Sequence, residues 1–128
     1  MERVTGIGGI FFKAEDPKKL QAWYQEHLGV QPDPDGYVGF KWLEKDPPGR
    51  EAVTIWSPFP KDTRYYQPSQ APFMINYRVK NLDAMLAQLR AQGIQTVGEP
   101  ENSEFGRFAW VMDPEGNKIE LWEPPKDP

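Results

Sequence analysis

The chain has 128 residues, room for one domain, and its 5 Trp, 5 Tyr and 7 Phe are an aromatic load that a disordered chain would not carry. The formal net charge of −4 and the scattered Lys and Arg exclude the basic stripe of a general nucleic-acid binder. Zero Cys removes disulfides, thiolate nucleophiles and sulfur-ligated zinc, and a lone His27 leaves no multi-histidine metal site within one chain.

The opening residues Met1 to Gly9 have no basic stretch followed by an apolar run, so no secretory signal is expected. No apolar run approaches the ~20 residues of a membrane span, so no membrane partner is expected either. The cysteine-free composition is compatible with a reducing cytosol, and a cytoplasmic location is the expectation. Gly6, Gly8 and Gly9 lack the spacing and the following helix of a phosphate-binding loop.

From Ile10 the chain alternates as a half-buried strand, with Ile10, Phe12 and Ala14 against Phe11 and Lys13. Asp16 then caps a helix with Pro17 at its first position. Leu20, Trp23, Tyr24 and Leu28 follow helical spacing, and Gly29 stops it. His27 near the helix end suits the helix dipole, and that structural role is preferred to a catalytic one. Strands are predicted near 37–43 and 51–57. The stretch 58–72, with Pro58, Pro60, Pro68 and Pro72, reads as a linker. Tyr65 and Tyr66 within it either cover a ligand site or stay exposed, exposure being the default. Ile75, Tyr77 and Val79 then alternate, Asn81 caps a second helix with the stripe Leu82, Met85, Leu86 and Leu89, and Gly93 stops it. Later strands are predicted near 94–98, 106–112 and 117–123. Asp113 to Asn117 is a turn, and the tail from Pro124 to Pro128 is expected to fray.

These elements repeat. The Asp16 and Asn81 caps, the Gly29 and Gly93 stops, the turns at Asp46 and Asp113, and the pair Trp56 and Trp122 recur in the same order at offsets of 64 to 67 residues. One domain, 1–128, is therefore read as unit one over about 1–60, a linker over about 58–72 and unit two over about 71–124.

Strand alternation sorts the side chains onto two faces. Ile10, Phe12, Val53, Ile55, Ile75, Tyr77, Val79, Ala109, Val111, Ile119 and Leu121 fall to the helix side. The opposite face carries Gly9, Phe11, Lys13, Thr54, Trp56, Met74, Asn76, Arg78, Phe108, Trp110, Met112, Lys118, Glu120 and Trp122. Aromatic rings mixed with a few polar groups on a curved sheet describe a small-ligand cup. The alternative is a second core, or a face buried against another subunit. From this face Phe11, Thr54, Trp56, Met74, Asn76, Arg78, Trp110 and Trp122 are the candidate ligand-binding residues. Glu120 is a candidate catalytic acid/base, a ligand contact, or a structural ion-pair partner of Arg78 or Lys118.

The segment Arg107 to Pro124, RFAWVMDPEGNKIELWEP, resembles the C-terminal signature of the glyoxalase/bleomycin-resistance/dioxygenase superfamily, the vicinal oxygen chelate proteins. Ile10 to Gly29 is similar to that family's opening. The resemblance implies an α+β fold: two tandem βαβββ modules forming a curved, open barrel-like mixed sheet with helices on the outer face, usually as a homodimer. It leaves the chemistry open, since the scaffold hosts isomerases, lyases, dioxygenases and metal-free binders. It also implies four pseudo-symmetric metal-ligand positions, which fall on Gly9, Thr54, Met74 and Glu120. Only Glu120 is a credible ligand for a divalent ion. A small register shift would add Asn76 or Glu51 but no histidine. No cofactor is therefore expected, with a divalent metal at Glu120 as the minor alternative. The first functional reading is a metal-independent binder of a small apolar or aromatic molecule. The others are a lyase/isomerase or dioxygenase-type enzyme using Glu120, and an interaction module whose inner face is packed.

Overall fold

The computed structural model describes residues 1–126. The elements run β1 (Val4–Ala14), α1 (Pro17–Leu28), β2 (Val38–Lys45), β3 (Pro48–Pro60), β4 (Phe73–Val79), α2 (Leu82–Ala91), β5 (Glu101–Ser103), β6 (Gly106–Met112) and β7 (Lys118–Glu123). They build one open seven-stranded mixed sheet in the order β2-β3-β1-β4-β7-β6-β5. Each unit crosses through its helix to a parallel neighbour, β1 beside β3 and β4 beside β7, and the units meet at the antiparallel pair β1 and β4. This is the α+β curved-sheet architecture expected from the sequence. The first unit has two strands after its helix and the second has three. In the first, the segment after α1 turns on Asp33, whose Oδ1 accepts from the Asp35 and Tyr37 amides, and Pro32 and Pro34 have no N–H for a ladder.

Local chemistry explains the helix ends. Asp16 accepts from the Lys19 amide at 3.1 Å and Asn81 from the Ala84 amide at 3.0 Å. Gly29, at φ 69°, takes the left-handed conformation that closes α1. Glu123 on β7 accepts from the Leu82 amide at 2.8 Å, and Arg107 on β6 grips Asp83 in the first turn of α2 with two bonds of 2.7 and 2.8 Å. Below α2 lies the main core, Val79, Leu82, Met85, Leu86, Ala109, Val111 and Leu121. Helix α1 buries no residue and rests on the sheet through Tyr24. Neither helix is long and apolar enough to cross a membrane.

Three expectations are corrected. No strand forms over 94–98, where only Thr96 bridges to Val111 and β5 starts at Glu101. Gly98 at φ 71° and the following Pro100 interrupt the extended run. Pro58 and Pro60 belong to β3 and not to the linker. Pairing with β2 ends at Trp56, so beyond it β3 pairs on one side only, where proline is tolerated. Trp56 faces the helices: it pairs in register with Ile10, and its ring packs on Phe12 and on Tyr24 of α1 at centroid distances of 5.1 and 4.8 Å. The predicted turn over Asp113 to Asn117 is present, with Asp113 accepting from the Glu115 and Asn117 amides. Of the tail expected to fray, Asp127 and Pro128 lie outside the described residues.

Candidate ligand site

Glu120 sits in the middle of β7, with Asn76 of β4 opposite on one side and Trp110 of β6 on the other. Cross-strand partners share a face, so the three side chains converge. Glu120 is 2% exposed. The Asn76 amide donates to Oε1 at 2.6 Å and the Trp110 indole to Oε2 at 2.9 Å. The third donor is the Tyr65 hydroxyl, also to Oε2. Among the described residues no cation pairs with this buried carboxylate, and three neutral donors hold it.

Tyr65 reaches Glu120 from the loop between β3 and β4. Its ring stacks on Phe59 at 5.9 Å and 15°, and meets Trp110 edge-on at 6.2 Å. Burial, then the Glu120 charge, pushes its phenol well above the ordinary tyrosine range, so it acts as a neutral donor. Tyr66 is fully buried with Met74 and Trp110, packed by Phe11, Phe59, Val97 and Phe108. The same two causes raise its phenol. Lys118 extends its ammonium over the Tyr65 and Trp110 rings and donates to the Tyr65 carbonyl at 2.8 Å. Burial lowers the Lys118 pKa, and Glu120 partly opposes this. Two buried polar atoms beside this cluster, Tyr66 Oη and Asn76 Oδ1, have no hydrogen-bond partner among the described residues.

A β-bulge in β1 brings the backbone close to Asn76. A Cβ on Gly8 would overlap Asn76 Oδ1 and press on Trp122. Gly8 thus shares the corner that sequence alone assigns to Gly9. A Cβ on Gly9 would meet the Phe11 ring.

The residues singled out from sequence divide into groups. Phe11, Met74, Asn76, Trp110 and Glu120 come together around Tyr65 and Tyr66. Arg78 and Trp122, two residues further along β4 and β7, form a neighbouring cluster. There the Arg78 guanidinium lies over the Trp42 and Trp122 rings and pairs with buried Glu44 at 3.3 Å. Burial lowers the Arg78 pKa, and Glu44 opposes this. A cleft of about 250 Å³ opens beside this pair between Thr5, Lys80 and Glu123. The Thr54 hydroxyl accepts from the Trp42 indole and donates to the Ile7 carbonyl, which ties β2, β3 and β1 together. Trp56 lies on the helix face.

The alternatives held open for these polar residues are narrowed. Among the described residues Glu120 forms no ion pair: Arg78 pairs with Glu44, and Lys118 binds a carbonyl. Tyr66 is fully buried beside the Glu120 cluster, against the default of exposure, whereas Tyr65 is exposed as that default has it and still bonds Glu120 through its hydroxyl. Their sequence signal was an adjacent aromatic pair inside a proline-rich loop. Trp42 and Glu44 gave no comparable signal.

The metal set implied by the superfamily does not fit these residues. Gly9 has no donor, Thr54 is engaged with Trp42 and Ile7, Met74 is buried among rings, and Glu120 already accepts three hydrogen bonds. No three His, Cys, Asp or Glu side chains cluster in metal-binding geometry among the described residues.

Comparison with known proteins agrees with the fold. The family model described as a glyoxalase-like domain matches residues 9–122. The uncharacterised protein YetH of Bacillus subtilis (strain 168) is 26% identical over 122 residues, covering 94% of this chain and 99% of YetH. Among solved structures, a methylmalonyl-CoA epimerase from Streptomyces coelicolor superposes with a TM-score of 0.68 at 16% identity, covering 97% of this chain and all of that one. The epimerase from Mycobacterium tuberculosis gives 0.59 at 24% identity, covering 96% and 90%. An NAD-dependent benzaldehyde dehydrogenase from Legionella pneumophila gives 0.60 at 16%, covering 91% and 98%.

Proposed function

Because the chain belongs to the glyoxalase-like domain family, we propose that it binds a small organic molecule at the Glu120 cluster and holds it through side-chain hydrogen bonds and ring contacts, without a catalytic metal. The observation that carries this reading is the buried carboxylate held by Tyr65, Asn76 and Trp110, flanked by the unpaired Tyr66 Oη and Asn76 Oδ1. Unpaired buried polar atoms are costly, and a ligand offering one acceptor and one donor would relieve both. Phe11 and Trp110 supply apolar contact surface. The protein acts in the cytoplasm as a homodimer, with the small molecule as its partner.

Thermal-shift screening of apolar and aromatic small molecules tests the proposal. A saturable stabilisation that shrinks in Glu120→Gln and survives chelator supports it. A stoichiometric divalent ion that is lost in Glu120→Gln overturns the metal-free part. Light scattering tests the dimer, and a monomer at all concentrations overturns it.

A second reading is isomerase or lyase chemistry with Glu120 as the base. It rests on Oε1, which carries one donor and has a lone pair left to receive a proton. Deuterium entering a bound carbon acid from heavy water, and not in Glu120→Gln, would favour it.

A further inference from the structure

Tyr65 is an unusual member of the cluster. As a residue it is 39% exposed, yet its hydroxyl is bonded to a carboxylate that is 2% exposed. The ring enters from solvent and ends on the buried acceptor. Its seat is a planar slot: Phe59 lies parallel to it, Trp110 stands edge-on, and the Lys118 ammonium is 5.4 Å from its centroid. The loop that carries it is secured independently of the ring. Thr63, Gln67 and Ser69 donate backbone bonds to Pro60, Arg64 and Tyr66, and the Tyr66 ring is fully buried.

We infer that the Tyr65 phenol is a displaceable internal occupant of the Glu120 site, and that the ligand class replacing it is an uncharged aromatic molecule carrying an O–H donor. This rests on the proposed ligand site and names its chemistry. When the ring leaves, Glu120 loses one of its three donors, and only a guest with a donor restores it. The parallel and edge-on rings select a flat guest. Charge is disfavoured in both directions, because Lys118 repels a cation over the slot and Glu120 repels an anion at its end.

The test is calorimetric titration of the full chain with 4-methylphenol, the tyrosine side chain cut at Cβ, alongside toluene and 4-methylbenzoate. Wild type should bind 4-methylphenol measurably, and Tyr65→Ala should bind it at least about tenfold tighter, because the internal competitor is gone. Toluene and 4-methylbenzoate should each bind Tyr65→Ala at least about tenfold more weakly than 4-methylphenol, and adding Glu120→Gln should narrow the gap to toluene. Tyr65→Phe, which keeps the ring and loses only the hydroxyl bond, should also bind 4-methylphenol tighter than wild type does, so the test does not depend on the alanine variant folding. Binding to Tyr65→Ala with none to wild type would mark a hole made by truncation and overturn displacement. Equal binding of toluene and 4-methylphenol would overturn the donor requirement. Should 4-methylphenol fail while another organic molecule binds wild type in a Glu120-dependent way, the ligand class falls and the broader site stands. Should nothing bind wild type, both fall.

Discussion

Asn76 and Glu120 occupy the same register position on the parallel strands β4 and β7, and their side chains meet at 2.6 Å. The pairing works because one partner is neutral. Asn76→Asp would set a second carboxylate against Glu120 where both positions are only 2% exposed and solvent screens poorly. One of the two must then stay protonated, with a folded-state pKa above its unfolded value. Its stabilising effect is present at low pH and lost as pH rises through that raised pKa. The variant should be less stable than wild type by about 2–4 kcal/mol at pH 7 and recover part of that by pH 5. Urea unfolding at the two pH values measures it, and a deficit independent of pH would refute the like-charge account.

Gly8→Ala examines the close approach of β1 to this pair. The added methyl would overlap Asn76 Oδ1 and press on the Trp122 ring, both held in place by neighbouring strands. A loss of about 1–3 kcal/mol is expected, with weaker ligand stabilisation at the Glu120 cluster. Gly36→Ala is the contrast: a Cβ there meets nothing within 4 Å, so its strain comes only from φ 87° and should leave ligand binding unchanged. Equal effects of the two on binding would count against the close approach.

How far the sequence could be read follows from the range of each interaction. Asp16, Asn81 and Gly29 act within a few residues of themselves, so the helix limits were legible. The period-two pattern placed Asn76, Trp110 and Glu120 on one face because register within unit two carries it through without a shift. It misplaced Trp56, whose face depends on pairing with Ile10 beyond the bulge in β1. Tyr65 was readable only as a candidate cover, since its bond to Glu120 spans 55 residues and depends on how a loop folds back. Pattern along one strand cannot report either.

Arg78 and Glu44 are both buried and face each other at 3.3 Å, with Glu44 Oε2 and Arg78 Nε left unpaired. Removing one partner strands the other charge. Arg78→Met alone should destabilise by about 3–5 kcal/mol. The double variant Arg78→Met/Glu44→Leu should be closer to wild type than either single variant, because the charges cost about as much to bury as their attraction returns. Chemical denaturation of the four proteins closes the cycle. Additive losses would mean that the Trp42 and Trp122 rings, and not the ion pair, dominate this cluster.

The raised Tyr65 phenol makes a prediction at high pH. In the unfolded chain tyrosine ionises near pH ~10, whereas in the fold it keeps its proton beyond that. Above the unfolded value the native state binds more protons, so stability contributed by Tyr65 declines with each further rise in pH. Tyr66 is shifted the same way and adds a parallel slope. Lys118 is shifted downward and acts with the opposite sign just below its ordinary value, so the total curve mixes three groups. Comparing wild type with Tyr65→Phe cancels the other two where they do not couple to Tyr65. The phenylalanine variant should start about 1–2 kcal/mol less stable at pH 8, having lost a bond to a charged acceptor. The gap should shrink as pH climbs past ~10. Denaturant midpoints between pH 8 and 11 read the difference directly, and a constant gap would show that the Tyr65 hydroxyl is not bonded to the Glu120 carboxylate in solution.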